Sequence, residues 1–370
     1  MNHINKYLRN FKPYKLASHK VWNVSSNERK QILKLDWNES TIPPSPKVKQ
    51  RLLELINDDN FFNLYPSTYN SNLYHLLSSY TNLPIDNIQY FGSSDSLHEY
   101  ICKLFVSVGD PVVILWPSYD NFRLTVEVNG GRIFYFEYND DFTFNQNAFV
   151  DYLKKVNPSL CYICNPNNPT GYLHSVEFIE SLLKEFSETM FLIDEAYFEF
   201  TSHKTTCASL VLKYENILVS RTMSKAFGIA NFRFGYLLAS SNNINYISTI
   251  RNPKNITTFA QEAASMVLTD LDYMENYVKE VNKAKKIFKK QIKDYLPVDV
   301  YDSEGNFIVL RFKSYEEKKS IYEYLANKNI FVRNIDQTPS VHNCLRISIG
   351  TNEQMNKVFD ALKEFYERKY

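Results

Sequence analysis

Seven short apolar runs, spaced by longer stretches, constrain this chain more than any other feature. They fall at residues 88–91, 112–115, 132–137, 160–164, 190–193, 217–219 and 234–239. Most are unbroken rather than alternating, as expected of strands covered on both faces. The stretches between them read as helices. Within 95–108, Leu97, Ile101, Leu104, Phe105 and Val108 make one helical stripe. Strand and helix in alternation predict an α/β unit with a mainly parallel sheet and right-handed crossovers. After about residue 270 the texture changes. A long Lys-rich helix over 273–295 precedes strand-like 306–311, a helix over 315–327, strand-like 330–333 and 344–349, and a last helix from about Asn352. This predicts a smaller α+β unit.

At 370 residues the chain has room for two domains. Its net charge of +1 gives no basis for nucleic-acid or anionic-membrane binding. The first residues lack the apolar core of a signal peptide, and no apolar run reaches membrane-spanning length, so a cytoplasmic enzyme is expected. Five cysteines do not suggest a disulfide framework. Cys161 and Cys164 have redox or zinc spacing, but residues three apart on a strand face opposite ways and no second pair completes a metal site. They are expected to be core, and no metal is expected.

Four segments carry chemistry. Arg221-Thr-Met-Ser-Lys225-Ala-Phe-Gly sets a lysine among small and apolar residues, with Arg233 shortly after. Burial and neighbouring cations lower a lysine's pKa and so make a nucleophilic amine. Phe191-Leu-Ile-Asp194-Glu-Ala-Tyr197 puts a carboxylate at the carboxyl end of a strand, where open α/β sheets bind ligands. Asn165-Pro-Asn-Asn168-Pro-Thr-Gly171 is a tight turn. Upstream, Gly92-Ser-Ser94-Asp95 leads into a helix, and free N–H groups at a helix start suit an anion.

In order and spacing these segments resemble the fold-type I pyridoxal-phosphate-dependent aminotransferases of class I/II, and within them most resemble the histidinol-phosphate aminotransferase branch. The resemblance runs over nearly the whole chain. It implies an aspartate aminotransferase-like fold, with a large domain around a mostly parallel seven-stranded sheet and a small α+β domain. Residues 1–35 would pack with the small domain, 36–270 would form the large one and 271–370 the rest of the small one. The cofactor implied is pyridoxal 5'-phosphate. Lys225 would hold it as an imine and move protons, and Asp194 would face its ring nitrogen. Tyr197 and Asn168 would bond its phenolic oxygen, and Tyr119 would stack on its ring. Its phosphate would take Ser94, Asp95, Thr222, Ser224 and Arg233, with Tyr65 reaching from a second subunit of a homodimer. Arg346, Arg333, Tyr14 and Asn38 would meet the substrate, since a planar guanidinium suits a carboxylate or phosphate.

The chain departs from the family near the substrate. Asn38-Glu-Ser-Thr-Ile-Pro-Pro-Ser-Pro46 lacks the usual glycine, Tyr14-Lys-Leu-Ala-Ser18 replaces Tyr-x-Pro-Gly, and His342 precedes Arg346. The expected reaction is amino transfer between glutamate and a small phosphorylated carbonyl or amine. Histidinol phosphate and a three-carbon phosphate both remain open. A decarboxylase of phosphoserine or threonine phosphate type is the alternative on the same scaffold.

Overall fold

The computed structural model describes residues 20–336 and 339–369, with His3 alone before them. Tyr14 lies outside the described residues. Among the described residues the strands are β1 (Leu33–Leu35), β2 (Ile88–Phe91), β3 (Pro111–Trp116), β4 (Arg132–Glu137), β5 (Leu160–Cys164), β6 (Met190–Asp194), β7 (Ile217–Thr222), β8 (Gly235–Ala239), β9 (Asp299–Val300), β10 (Phe307–Arg311), β11 (Ile330–Ile335) and β12 (Cys344–Ser348).

The larger sheet has the order β2-β8-β7-β6-β5-β3-β4. Every pairing is parallel except the two made by β8, which is antiparallel to both β7 and β2. The unbroken apolar runs sit where expected. β5 and β7 are buried throughout, and only edge strand β4 is half open. Cys161 and Cys164 lie on β5, buried and unbridged like the other three cysteines.

The smaller sheet runs β1-β11-β12-β10-β9. β1 pairs in parallel with β11, which sets Leu33, Lys34 and Leu35 at the edge of this sheet. The helix Leu271–Tyr295 links the two units. Its buried residues Met274, Tyr277, Val278, Val281, Ala284, Phe288 and Ile292 form one stripe. From it Tyr277 Oη accepts from Thr41 N–H at 3.2 Å, and Asn282 Nδ2 donates to the Phe200 carbonyl at 3.0 Å.

The helix expected over 95–108 is shorter, Ser94–Phe105. Val106 is extended, and Gly109 at φ +89° turns the chain into β3. Ser93 caps the helix start, its hydroxyl accepting from Ser96 N–H at 3.0 Å.

Two glycines set close approaches. Gly171, at φ +77°, ends the Asn165 turn, and a Cβ there would lie 2.4 Å from Ser303 Cβ. Its carbonyl accepts from Glu304 N–H at 3.0 Å. Gly235 begins β8, where a Cβ would lie 2.5 Å from Ser94 N and 2.7 Å from Ser93 C. Both contacts are backbone, so neither can swing aside. Gly235→Ala is therefore expected to part β8 from the helix start and cost about 1–3 kcal/mol of stability by overpacking. Urea unfolding measures this, and an unchanged midpoint would contradict it.

Candidate active site

The carboxyl ends of β5, β6 and β7 gather the chemical residues. Asp194 is the last residue of β6 and is buried. Its Oδ2 accepts from Tyr162 Oη at 2.8 Å, and its Oδ1 accepts from Ala196 N–H at 3.2 Å. His98 Nε2 is 3.9 Å from Oδ2 and 3.1 Å from Ser220 Oγ.

Lys225 follows β7 in a tight turn. Its Nζ donates to the Trp37 carbonyl at 2.9 Å and stands 5.9 Å from the centre of the Tyr197 ring. Burial pushes its pKa down to about 8; Glu39 opposes the shift, while Arg346 and Arg233 add to it. An ordinary lysine titrates near 10.4. This amine therefore has a large neutral fraction near pH 8, as a nucleophile or base requires.

Tyr197 lies beside Asp194 in the chain, and burial pushes its phenol pKa up. Asn38 Nδ2 and Asn168 Nδ2 both donate to its oxygen, at 3.2 and 3.3 Å. The Tyr197 proton is thereby left to donate outward. Asn38 holds φ +54° and is fixed by Ser348, whose Oγ accepts from Asn38 N–H at 2.9 Å and donates to Asn38 Oδ1 at 2.8 Å.

Arg346 reaches the same cluster from β12. Its Nη1 donates to Asn168 Oδ1 and its Nη2 to the Asp36 carbonyl, each at 2.6 Å. Arg333, on β11, is its direct partner in antiparallel register. Paired residues of this kind project on one face.

The anion end is built at the helix start. Leu97 N–H makes the first helical bond, to the Ser93 carbonyl, so the amides of Ser94 and Asp95 precede the ladder. The missing Cβ of Gly235 brings Ser94 N against the β7–β8 pair. Thr222 and Ser224 stand at the end of β7, their hydroxyls 2.9 Å apart. Arg233 Nη2 donates to Asp95 Oδ2 at 3.0 Å, and Tyr119 Oη donates to Asp95 Oδ1 at 2.9 Å. The Asp95 carboxylate thus orients both Arg233 and Tyr119.

Of the residues read from the sequence, Tyr65 alone among those described stands apart. It is 80% exposed, with the Lys254 ammonium 4.8 Å from its ring centre. Other contributors carry no sequence signature. Tyr162 and His98 act on Asp194 from neighbouring elements. Asp36 and Trp37 act through backbone carbonyls. Arg221 anchors the end of β7 through a buried pair with Glu195 at 2.9 Å, its guanidinium 3.7 Å from the Phe198 ring centre. Only its place four residues before Lys225 hinted at a role.

The arrangement suits a flat, anionic, carbonyl-bearing ring. An amine, a carboxylate, a phenol with an amide, and an anion cradle converge on the edge of one sheet. Among the described residues, no cluster of His, Cys, Asp and Glu could hold a metal ion.

Known proteins share this plan. The chain matches the family "Aminotransferase class I and II" over residues 30–362. It is 38% identical over 370 residues to a dihydroxyacetone phosphate transaminase of Campylobacter jejuni subsp. jejuni, covering 99% of this chain and 98% of that protein. It is 33% identical over 361 residues to a histidinol-phosphate aminotransferase of Ruminiclostridium cellulolyticum, covering 97% of each. The crystal structure of histidinol-phosphate aminotransferase from Sinorhizobium meliloti, in complex with pyridoxal-5'-phosphate, shares its fold. The TM-score is 0.88 at 23% identity, over 100% of this chain and 99% of that one. From residue 30 to residue 362 the match takes in both sheets and every site residue described above, and the chain belongs to the class I and II aminotransferases.

Proposed function

We propose that this chain uses pyridoxal 5'-phosphate to move an amino group between glutamate and a small phosphorylated carbonyl compound. The observation that carries the reading is Lys225: a buried amine brought down to about pH 8, beside Tyr197 and close to Arg346. When bound, the cofactor supplies an aldehyde that condenses with amines and a ring that withdraws electrons. The chain supplies the rest. Asp194 holds a proton at the ring nitrogen. Tyr197 Oη and Asn168 Nδ2 donate to the phenolic oxygen. The Ser94 and Asp95 amides, Thr222, Ser224 and Arg233 hold the phosphate, and Tyr119 covers the ring. Lys225 Nζ takes the proton from the nitrogen-bearing carbon of the amino donor and delivers a proton to the corresponding carbon of the acceptor. Arg346 grips the substrate's acid, and Asn38 keeps Tyr197 oriented.

The phosphorylated partner follows from the arginines. Like charges in direct register cost stability across a ladder, so Arg333 beside Arg346 suits a ligand with close to two negative charges. The relative named for dihydroxyacetone phosphate matches this chain at higher identity than the one named for histidinol phosphate, over 99% of its length. A three-carbon phosphate ketone is accordingly the preferred acceptor. Glutamate with dihydroxyacetone phosphate, histidinol phosphate with 2-oxoglutarate, and phosphoserine with carbon dioxide collection form the test panel. Turnover of the first pair supports the reading, and carbon dioxide release would replace it with decarboxylation. Arg333→Ala is expected to raise KM for the phosphorylated partner by roughly ten- to a hundred-fold, the loss of one charge-assisted contact, and to affect glutamate less. Arg346→Ala should impair both half-reactions. Equal effects of Arg333→Ala on both partners would contradict its phosphate role.

A homodimer completes the site in this reading. Phe62, Leu64, Tyr65 and Tyr69 are 60–80% exposed within one short segment, an apolar patch of the kind that marks an interface. Tyr65 would meet the partner's phosphate there. Sedimentation is expected to show twice the chain mass. Phe62→Asp combined with Leu64→Asp should give a folded, inactive monomer, and an active monomer would refute the shared site.

A further inference from the structure

Asp194 is buried at 3% exposure, and burial alone makes a carboxylate more basic. Basicity matters here beyond mere charge. If Asp194 were more basic than the ring nitrogen it faces, the shared proton would rest on the carboxylate and the ring would lose its positive charge. The environment must therefore hold Asp194 as an anion while weakening it as a base. A cation would do this at the cost of cancelling the charge the ring needs. A neutral hydrogen-bond donor does it while leaving the full negative charge in place.

The structure holds such a donor. Tyr162 is fully buried on β5, and its Oη donates to Asp194 Oδ2 at 2.8 Å. Across the β5–β6 pairing Tyr162 registers with Leu192, and Cys164 with Asp194, so the phenol reaches forward along the sheet from two residues below its acceptor. Phe122 stacks on the Tyr162 ring at 4.1 Å and 12°, and meets His98 edge-on at 5.4 Å. His98 in turn is fixed to Ser220, which registers with Asp194 across the β6–β7 pairing. The phenol lies in a strand of apolar residues and cysteines, where an unmatched hydroxyl is costly. Its donation goes to Asp194.

We propose that Tyr162 is a positioning residue that keeps Asp194 a weakly basic anion, so that the proton between them stays on the cofactor's ring nitrogen. The proposal rests on the role given to Asp194 above and adds the residue that tunes it.

The test reads the nitrogen itself. Holoenzyme is reconstituted with cofactor carrying nitrogen-15 in the ring, and its chemical shift is recorded in the resting state. Wild type is expected at the protonated value. Tyr162→Phe, which keeps the ring stack and removes only the hydroxyl, is expected to move the signal toward the unprotonated value. It should also lower kcat by roughly ten-fold, the worth of one hydrogen bond to a charged group, with KM for glutamate nearly unchanged. Phe122→Leu loosens the packing but keeps the hydroxyl, and should leave the nitrogen signal in place. An unmoved signal in Tyr162→Phe, with Asp194→Asn moving it, overturns the proposal alone. An unmoved signal in Asp194→Asn as well would overturn the role of Asp194 on which it rests. If Tyr162→Phe does not fold, 4-aminophenylalanine at position 162 keeps the ring and is a weaker donor; a signal moved toward the unprotonated value supports the proposal, and one left at the protonated value overturns it.

Discussion

An amine has to be taken out of water next to two guanidinium groups, and the site is arranged around that requirement. Lys225 is shifted to about 8 because burial disfavours its ammonium and because Arg346 and Arg233 are near, with Glu39 limiting the shift. The parallel sheet supplies the frame. Its strand ends place Asp194 at the end of β6 and Lys225 in the turn after adjacent β7, and β8, running the other way, closes against the helix start that carries Ser94.

The segment from Lys34 to Glu39 shows how the smaller sheet takes part. β1 ties it to β11. From there the Asp36 carbonyl meets Arg346, the Trp37 carbonyl meets Lys225, and the Asn38 side chain meets Tyr197. Lys34 pairs with Asp36 at 3.0 Å and also with Glu39, and its ammonium lies 4.1 Å from the Trp37 ring centre. Three consecutive residues thus touch three chemical groups, two of them by backbone atoms. A substrate acid on Arg346 and a cofactor aldehyde on Lys225 would each displace a backbone carbonyl of this strip.

β2 and β5 match their apolar runs end to end, because strands covered on both faces write their limits as unbroken hydrophobic sequence. β4 matches too, although it is half open, and buried β7 runs three residues past its apolar run because Ser220, Arg221 and Thr222 are polar. β1 and β9, with three and two residues, are too short for any periodicity to show. The helix Ser94–Phe105 fell short of Val108 because a stripe of apolar residues does not reveal where the backbone extends. In the site, Lys225, Asp194, Asn168 and Arg233 stand in local motifs whose residue types state their chemistry. Tyr162, His98 and Trp37 do not. Their contributions come from strand register, from a helix packed behind the sheet and from a carbonyl that any residue could offer. The direct facing of Arg333 and Arg346 is likewise a property of the β11–β12 register.

The claim on which the account stands is that Lys225 is the amine that captures the cofactor. Cofactor-free protein mixed with pyridoxal 5'-phosphate, reduced with borohydride and digested tests it directly. The account predicts one modified peptide carrying Lys225, with the capture rate rising as the ammonium loses its proton, through a midpoint near pH 8. Modification at another lysine, or a midpoint near the ordinary lysine value of about 10.4, would contradict it.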